Sequence, residues 1–229
     1  MSISKPLSNS WNFIKKRPEV LLPGLLAGFI NTLVFILSLS IISKFYTAII
    51  NNPMIFWSVV NSDEIAFLAA LMFIDFLTMF FSGLCIVSIA TDKNKPIFYT
   101  FKRSIRKFPV ALVAAILLYF IFAFGLIIFI IPGIYLIVRL LFINQAIVID
   151  NKDVFSSLNT SWNLTENKWW NTFFFILVLG IIAFAAHTPH LLIDFLPLKG
   201  VYTFLVTTFI FTFSNLALTF YYLELRKRK

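Results

Sequence analysis

Residues 108–150 read FPVALVAAILLYFIFAFGLIIFIIPGIYLIVRLLFINQAIVID, an apolar run broken once, at Ile131-Pro132-Gly133. A hydrocarbon core about 30 Å thick takes roughly 20 helical residues, so this run is too long for one crossing and fits two antiparallel ones. Proline cannot donate the next backbone hydrogen bond and glycine tolerates a turn, which places the reversal at Pro132 and Gly133. The stretch therefore predicts a transmembrane hairpin.

The rest of the chain follows the same plan. Hydrophobic residues make up 60% and charged residues 13% of the 229 residues, and mean hydropathy is +0.91. The apolar residues come in long uninterrupted runs without amphipathic spacing. A water-soluble all-α protein of this length lacks the polar surface to cover that many helices. Crossings are expected at about Val20–Phe45, Ala66–Thr91, Pro109–Ile130, Ile134–Ile149, Asn171–Ala186 and Val201–Leu223. The expected fold is all-α, a single six-helix membrane domain over residues 1–229 built as three hairpins.

The formal net charge of +9 is explained by where the bases fall. Sixteen of the nineteen Lys and Arg residues lie on one side of the expected crossings. They are Lys5, Lys15, Lys16 and Arg17 before the first crossing; Lys93, Lys95, Lys102, Arg103, Arg106 and Lys107 between the second and third; Lys152 and Lys168 before the fifth; and Arg226 to Lys229 at the end. Only Lys44 and Lys199 lie opposite, and Arg139 falls within a crossing. The positive-inside rule then puts both termini in the cytoplasm of a prokaryotic cell membrane. Nucleic acid is not an implied partner, because the bases sit in short loops beside membrane helices and form no reading motif. Cys85 is the only cysteine, which excludes an intrachain disulfide and a cysteine-based metal site. The first apolar run is also much longer than a signal-peptide core, so a retained helix is expected.

Short amphipathic segments precede the odd-numbered crossings. Leu7, Trp11 and Ile14 form one helical stripe; Phe98, Phe101, Ile105 and Phe108 form a second, with Lys102, Arg103, Arg106 and Lys107 on the other faces; Phe155, Leu158 and Trp162 form a third. Ser10-Trp11-Asn12 recurs as Ser161-Trp162-Asn163, with Ser104-Ile105 in the corresponding middle place. This spacing predicts three pseudo-repeats, about 5–91, 97–150 and 154–225, each an interfacial helix feeding a hairpin. In the longer outer loop of the first unit, Met54, Ile55, Phe56 and Trp57 are expected to dip into the far interface. Trp169, Trp170, Tyr221 and Tyr222 read as interfacial anchors. At 1.5 Å per residue the fourth crossing is only about 24 Å long.

Ile131-Pro132-Gly133-Ile134-Tyr135, the internal Arg139, Ser161-Trp162-x-Leu164-Thr165 and Trp169 together resemble a known family. So do the Ser10-Trp11 to Lys16-Arg17-Pro18 segment and Phe101-Lys102-Arg103-Ser104. The chain is similar to the membrane domain that precedes the catalytic domain in some bacterial glycerophosphoryl diester phosphodiesterases, and to related stand-alone six-helix proteins of unknown function. The resemblance implies a six-helix membrane domain and covers most of the chain. No catalytic domain follows, so diesterase activity is not implied, and Asn159 and Asn163 stand where such sequences often carry basic residues.

Charges deep in a membrane cost roughly 2.5–3.5 kcal/mol on insertion scales, so each needs a partner or a purpose. Asp75 and Arg139 are the two such residues, at comparable depth, and are expected to pair or to build one polar site with Asn31, Asn144, Gln145 and Asn215. Amides in lipid more often join helices than bind ligands. His187-Thr188-Pro189-His190 with Asp194 is the only metal-like grouping, and proline breaks its helical spacing, so no metal and no cofactor is expected. No phosphate cradle, nucleophile–base pair or paired carboxylate is visible. The expectation is a non-enzymatic scaffold or accessory subunit. Lys15, Lys16, Arg17, Lys102, Arg103, Arg106 and Lys107 would contact anionic phospholipid head groups of the bilayer or a membrane-protein partner. The alternative is transport or lipid handling at Asp75 and Arg139.

Overall fold

The computed structural model describes residues 3–51, 61–92, 94–128, 130–193 and 195–227. Among these residues the chain is all-α, without strands. The helices are α1 (Ser4–Lys16), α2 (Leu21–Asn51), α3 (Ser62–Thr91), α4 (Ile97–Ile128), α5 (Ile130–Arg139), α6 (Ile143–Ile149), α7 (Val154–Thr165), α8 (Trp169–His187) and α9 (Leu196–Lys227). Six helical segments are long and apolar enough to cross a membrane: Pro18–Thr47, Ser62–Thr91, Ile97–Phe122, Ile131–Ile149, Val154–His187 and Pro197–Lys227. Each overlaps one expected crossing. Met54 to Trp57, Lys93, Asp194, Arg228 and Lys229 lie outside the described residues.

The boundaries depart from expectation around the central hairpin. Pro132 and Gly133 do not make the reversal: α4 ends at Ile128, α5 starts at Ile130, and Pro132 is the third residue of α5. The first N–H groups of a helix lack intrahelical acceptors, so proline costs nothing there. The fourth crossing is instead interrupted later, at Leu140 to Phe142, which splits it into helices of 10 and 7 residues. The middle amphipathic segment is not a separate helix either, because α4 continues from Ile97 through Pro109 to Ile128. No glycine or cap stands beside Pro109, and a long helix absorbs one missing hydrogen bond by bending.

Neighbouring long helices run antiparallel. In α2 and α3, Asn31 meets Asp75 at 3.1 Å and Lys44 meets Glu64 at 2.8 Å. In α3 and α4, Ser88 and Ser104 share a hydrogen bond of 2.9 Å, while Phe81 and Phe108 sit 5.6 Å apart. In α8 and α9, the Thr172 and Tyr221 hydroxyls are 3.4 Å apart, and Tyr202 donates to the Ala186 carbonyl at 2.6 Å. Helices α2 and α9 approach closely. A Cβ added to Gly24 would lie 2.1 Å from Thr212 Oγ1, and one on Gly28 would lie 2.3 Å from Thr208 Oγ1. Glycines four residues apart let the two backbones meet, as in small-xxx-small membrane contacts.

Burial is lopsided. Ser88, Ile86 and Ala90 of α3, Ser104 of α4, Ile147 of α6, Ser161 of α7 and Leu216 to Leu225 of α9 lie at one end, where α1 and the chain's C-terminal segment also pack. Further along, large apolar side chains such as Phe29, Met72, Phe73, Tyr119, Phe184 and Leu205 are more than half exposed. Apolar surface of that extent fits lipid and not water.

Candidate functional site

Arg139 is the last residue of α5, where unpaired helix carbonyls favour a cation, and it is only 8% exposed. Nε donates to the Tyr135 hydroxyl one turn back at 2.8 Å, and Nη1 donates to the Trp162 carbonyl at 3.2 Å. The guanidinium carbon lies 4.7 Å from the Trp162 ring centre and 5.1 Å from that of Tyr135. Ring faces attract a desolvated cation, and guanidinium is the cation that stacks on them best. Among the described residues no carboxylate forms an ion pair with Arg139, and none offers Nη2 an acceptor.

The break after Arg139 is held from α7. Ser161 Oγ donates to the Arg139 carbonyl at 2.8 Å and accepts from the Phe142 N–H at 3.0 Å, satisfying two backbone groups freed by the interrupted helix. Thr165 Oγ1 reaches the same carbonyl at 3.4 Å. The start of α7 is fixed in turn. Asn151 adopts φ 55°, a conformation asparagine tolerates, and Lys152 N–H returns to the Ala146 carbonyl at 3.3 Å. Asp153 then caps α7, accepting from the Ser156 N–H at 2.7 Å, and its hydrogen bonds to Ser156 hold its carboxyl below the ordinary value. The end of α6 is tied to α9: Tyr222 Oη donates to Asp150, and Arg226 Nη1 lies 3.0 Å from Asp150 Oδ1.

A cavity of about 690 Å³ opens beside Arg139, walled by Tyr135, Trp169 and Trp170, with Glu166 and Lys168 also lining it. Trp169 Nε1 donates to the Tyr135 carbonyl at 3.3 Å and the two rings stack at 5.8 Å. A second cavity, about 650 Å³, gathers Lys102, Arg103, Arg106 and Lys107 with Asp92, Tyr99 and Asn151. Arg103 is committed, to Asp92 at 2.6 Å and to the Val148 carbonyl. Lys102, Arg106 and Lys107 form no ion pair among the described residues. Of the N-terminal cations, Lys15 lies 5.0 Å over the Trp11 ring, Arg17 pairs with Glu19 at 2.6 Å, and Lys16 lines a third cavity with Lys5, Lys227 and Glu224.

A family model matches residues 69–223, spanning most of α3 through α9 and therefore the whole Arg139 site. The chain belongs to the domain-of-unknown-function family DUF7847. No curated protein and no solved structure matches it. The DUF7847 match leaves out α1 and α2, so Asp75 lies within it and its partner Asn31 lies before it.

The ion pair expected between Asp75 and Arg139 is not formed. Asp75 Oδ2 accepts from Asn31 Nδ2 across the α2–α3 contact, whereas the interruption at Leu140 turns Arg139 toward α7 and α8. Comparable depth along two helices does not set the faces on which the side chains emerge. Of the expected amides only Asn31 reaches one of the two charges, and among the described residues Asn144, Gln145 and Asn215 bond neither. Asn215 donates to the Phe211 carbonyl of its own helix at 2.9 Å and packs on Gly83, Gln145 is buried on α6 with Oε1 unpartnered among the described residues, and Asn144 is half-buried beside it. His187 Nδ1 sits 2.8 Å from the Ala183 carbonyl. The side chain of His190 and Asp194 lie outside the described residues.

Sequence reading missed the roles of Ser161, Tyr135 and Trp162 around Arg139. The Ser-Trp pair and the internal arginine are both visible in the sequence, but their meeting depends on a helix break with no proline or glycine to announce it. For the α2–α9 contact the sequence does carry a signal, the Gly24-x-x-x-Gly28 spacing.

Proposed function

We propose that this DUF7847 protein is a non-enzymatic integral membrane protein, a scaffold or accessory subunit whose basic end engages anionic phospholipid head groups or a membrane-protein partner. In this reading its six crossings form three hairpins in a prokaryotic cell membrane, α1 and α7 lie at the cytoplasmic interface, and both termini are cytoplasmic. The chain is then a relative of the phosphodiesterase membrane domains it resembles. The reading is carried by one observation: Lys102, Arg106 and Lys107 crowd one cavity whose single acid among the described residues, Asp92, is already engaged by Arg103. Cations beside an anionic membrane surface gain about 1 kcal/mol each, so an excess left unpaired by the protein is matched by lipid.

Polymer-excised native nanodiscs test it, through the phospholipid composition carried with the protein. Wild type is expected to be enriched in anionic lipid over the parent membrane, and a Lys102→Gln, Arg106→Gln, Lys107→Gln variant to lose most of that enrichment. A wild-type lipid shell identical to the bulk membrane, with no co-purifying protein, would overturn the reading.

Lipid handling is the second reading, and a different observation favours it. Arg139 has no acidic partner among the described residues and borders an open cavity, an arrangement with room for an anion. That reading rests on Arg139 alone, because Asp75 lies on the α2–α3 contact with Asn31 and does not line this cavity.

A further inference from the structure

We propose that α5 and α8 form a head-and-tail seat for one anionic phospholipid, with its phosphodiester on Arg139 and one acyl chain in the groove beyond. The head end is the cavity beside Arg139. This arginine is more than nine-tenths buried, is oriented by Tyr135 and the Trp162 carbonyl, and keeps Nη2 without an acceptor among the described residues. A buried guanidinium is costly without an anion, and its planar donors suit a phosphodiester. Lys168 adds a second cation and Glu166 the one acid of the lining, so two bases face one carboxylate. Trp169 and Trp170 supply amphipathic walls of the kind that sit at head-group level.

The tail end is a separate groove of about 530 Å³ with a wholly apolar lining: Ile134, Ile137 and Val138 from α5, with Phe173, Gly180 and Phe184 among the residues from α8. It shares Ile134 and Phe173 with the head cavity, so the two adjoin. Gly180 creates room in it, since a Cβ built there meets nothing within 4 Å. A soluble anion would use the cavity and not the groove, and a neutral amphiphile the groove and not the arginine. A charged head joined to an acyl chain uses both. This seat is distinct from the Lys102, Arg106 and Lys107 cavity and stands whether or not that one holds lipid.

Delipidated full-length protein in mild detergent, titrated with phosphatidylglycerol or with phosphatidylcholine of the same acyl chains and read by native mass spectrometry, tests the seat. Wild type should retain a single phosphatidylglycerol about ten-fold more tightly than phosphatidylcholine. Gly180→Leu should abolish that single retained lipid by filling the groove, and its open surroundings leave the fold unaffected. With the basic cavity removed by the triple Gln substitution the preference between the two lipids should persist, and adding Arg139→Gln to that background should erase it. Inorganic phosphate displacing the lipid at millimolar concentration would show an anion pocket without a tail site. That result, equal retention of the two lipids by wild type, or unchanged retention by folded Gly180→Leu, would overturn the proposal.

Discussion

Ser161 and Ser10 occupy the same place in the recurring Ser-Trp-Asn tripeptide, and both are fully buried, yet they do different physical work. Ser10 Oγ donates to the Pro6 carbonyl of its own helix at 2.8 Å. Ser161 instead serves two backbone groups that the α5–α6 interruption leaves without helical partners. Removing a hydroxyl that satisfies buried groups costs roughly 1–3 kcal/mol, whereas losing a back-bond within a regular helix costs little. Ser161→Ala should therefore lower the thermal midpoint in detergent clearly, and Ser10→Ala only slightly. Equal shifts in the two variants would mean that the interruption is held by packing alone. Arg139 shows the same dependence on neighbours: its rarity in an apolar segment is plain from sequence, but its contact with Trp162 is not, because Trp162 comes from a helix that folds back onto a break.

At the level of helices, composition carries most of the information. An uninterrupted apolar run needs no special pattern to be found, and the apolar lengths of α2, α3, α8 and α9 locate crossings because lipid demands length before anything else. What stays hidden is how helices touch, since α2 and α9 have apolar residues on every side and no stripe that announces a partner face. The contact between them is set by absent side chains. Gly24→Ala would place a methyl 2.1 Å from Thr212 Oγ1 and 3.0 Å from the Thr208 carbonyl, forcing the backbones apart. Overpacking of this kind costs typically about 1–3 kcal/mol. The variant should unfold at lower temperature, and adding Thr212→Ala should recover part of the loss by removing the nearer obstacle. Full stability in Gly24→Ala alone would show that the two helices are not in contact at that level.

For the molecule as a whole, the question is which way the packed end faces. Burial and basic residues coincide there: α1 pairs Lys5 with Glu224 of α9 at 3.5 Å, Arg226 reaches Asp150, and the Lys102 cavity borders Asn151. At the opposite end Lys44 is neutralised by Glu64 at 2.8 Å. Translocating a short, strongly basic loop is disfavoured, so the basic end should stay on the side of synthesis. Single cysteines introduced at Lys102, Arg226 and Lys199 in a Cys85→Ala background report this directly in sealed inside-out vesicles. A membrane-impermeant maleimide should label Lys102→Cys and Arg226→Cys from the exposed cytoplasmic face and leave Lys199→Cys unreacted until detergent is added. If positions 102 and 226 reacted from opposite faces, an odd number of crossings would separate them. The even-numbered antiparallel plan, and the common face on which the basic cavity and both termini are placed, would then be wrong.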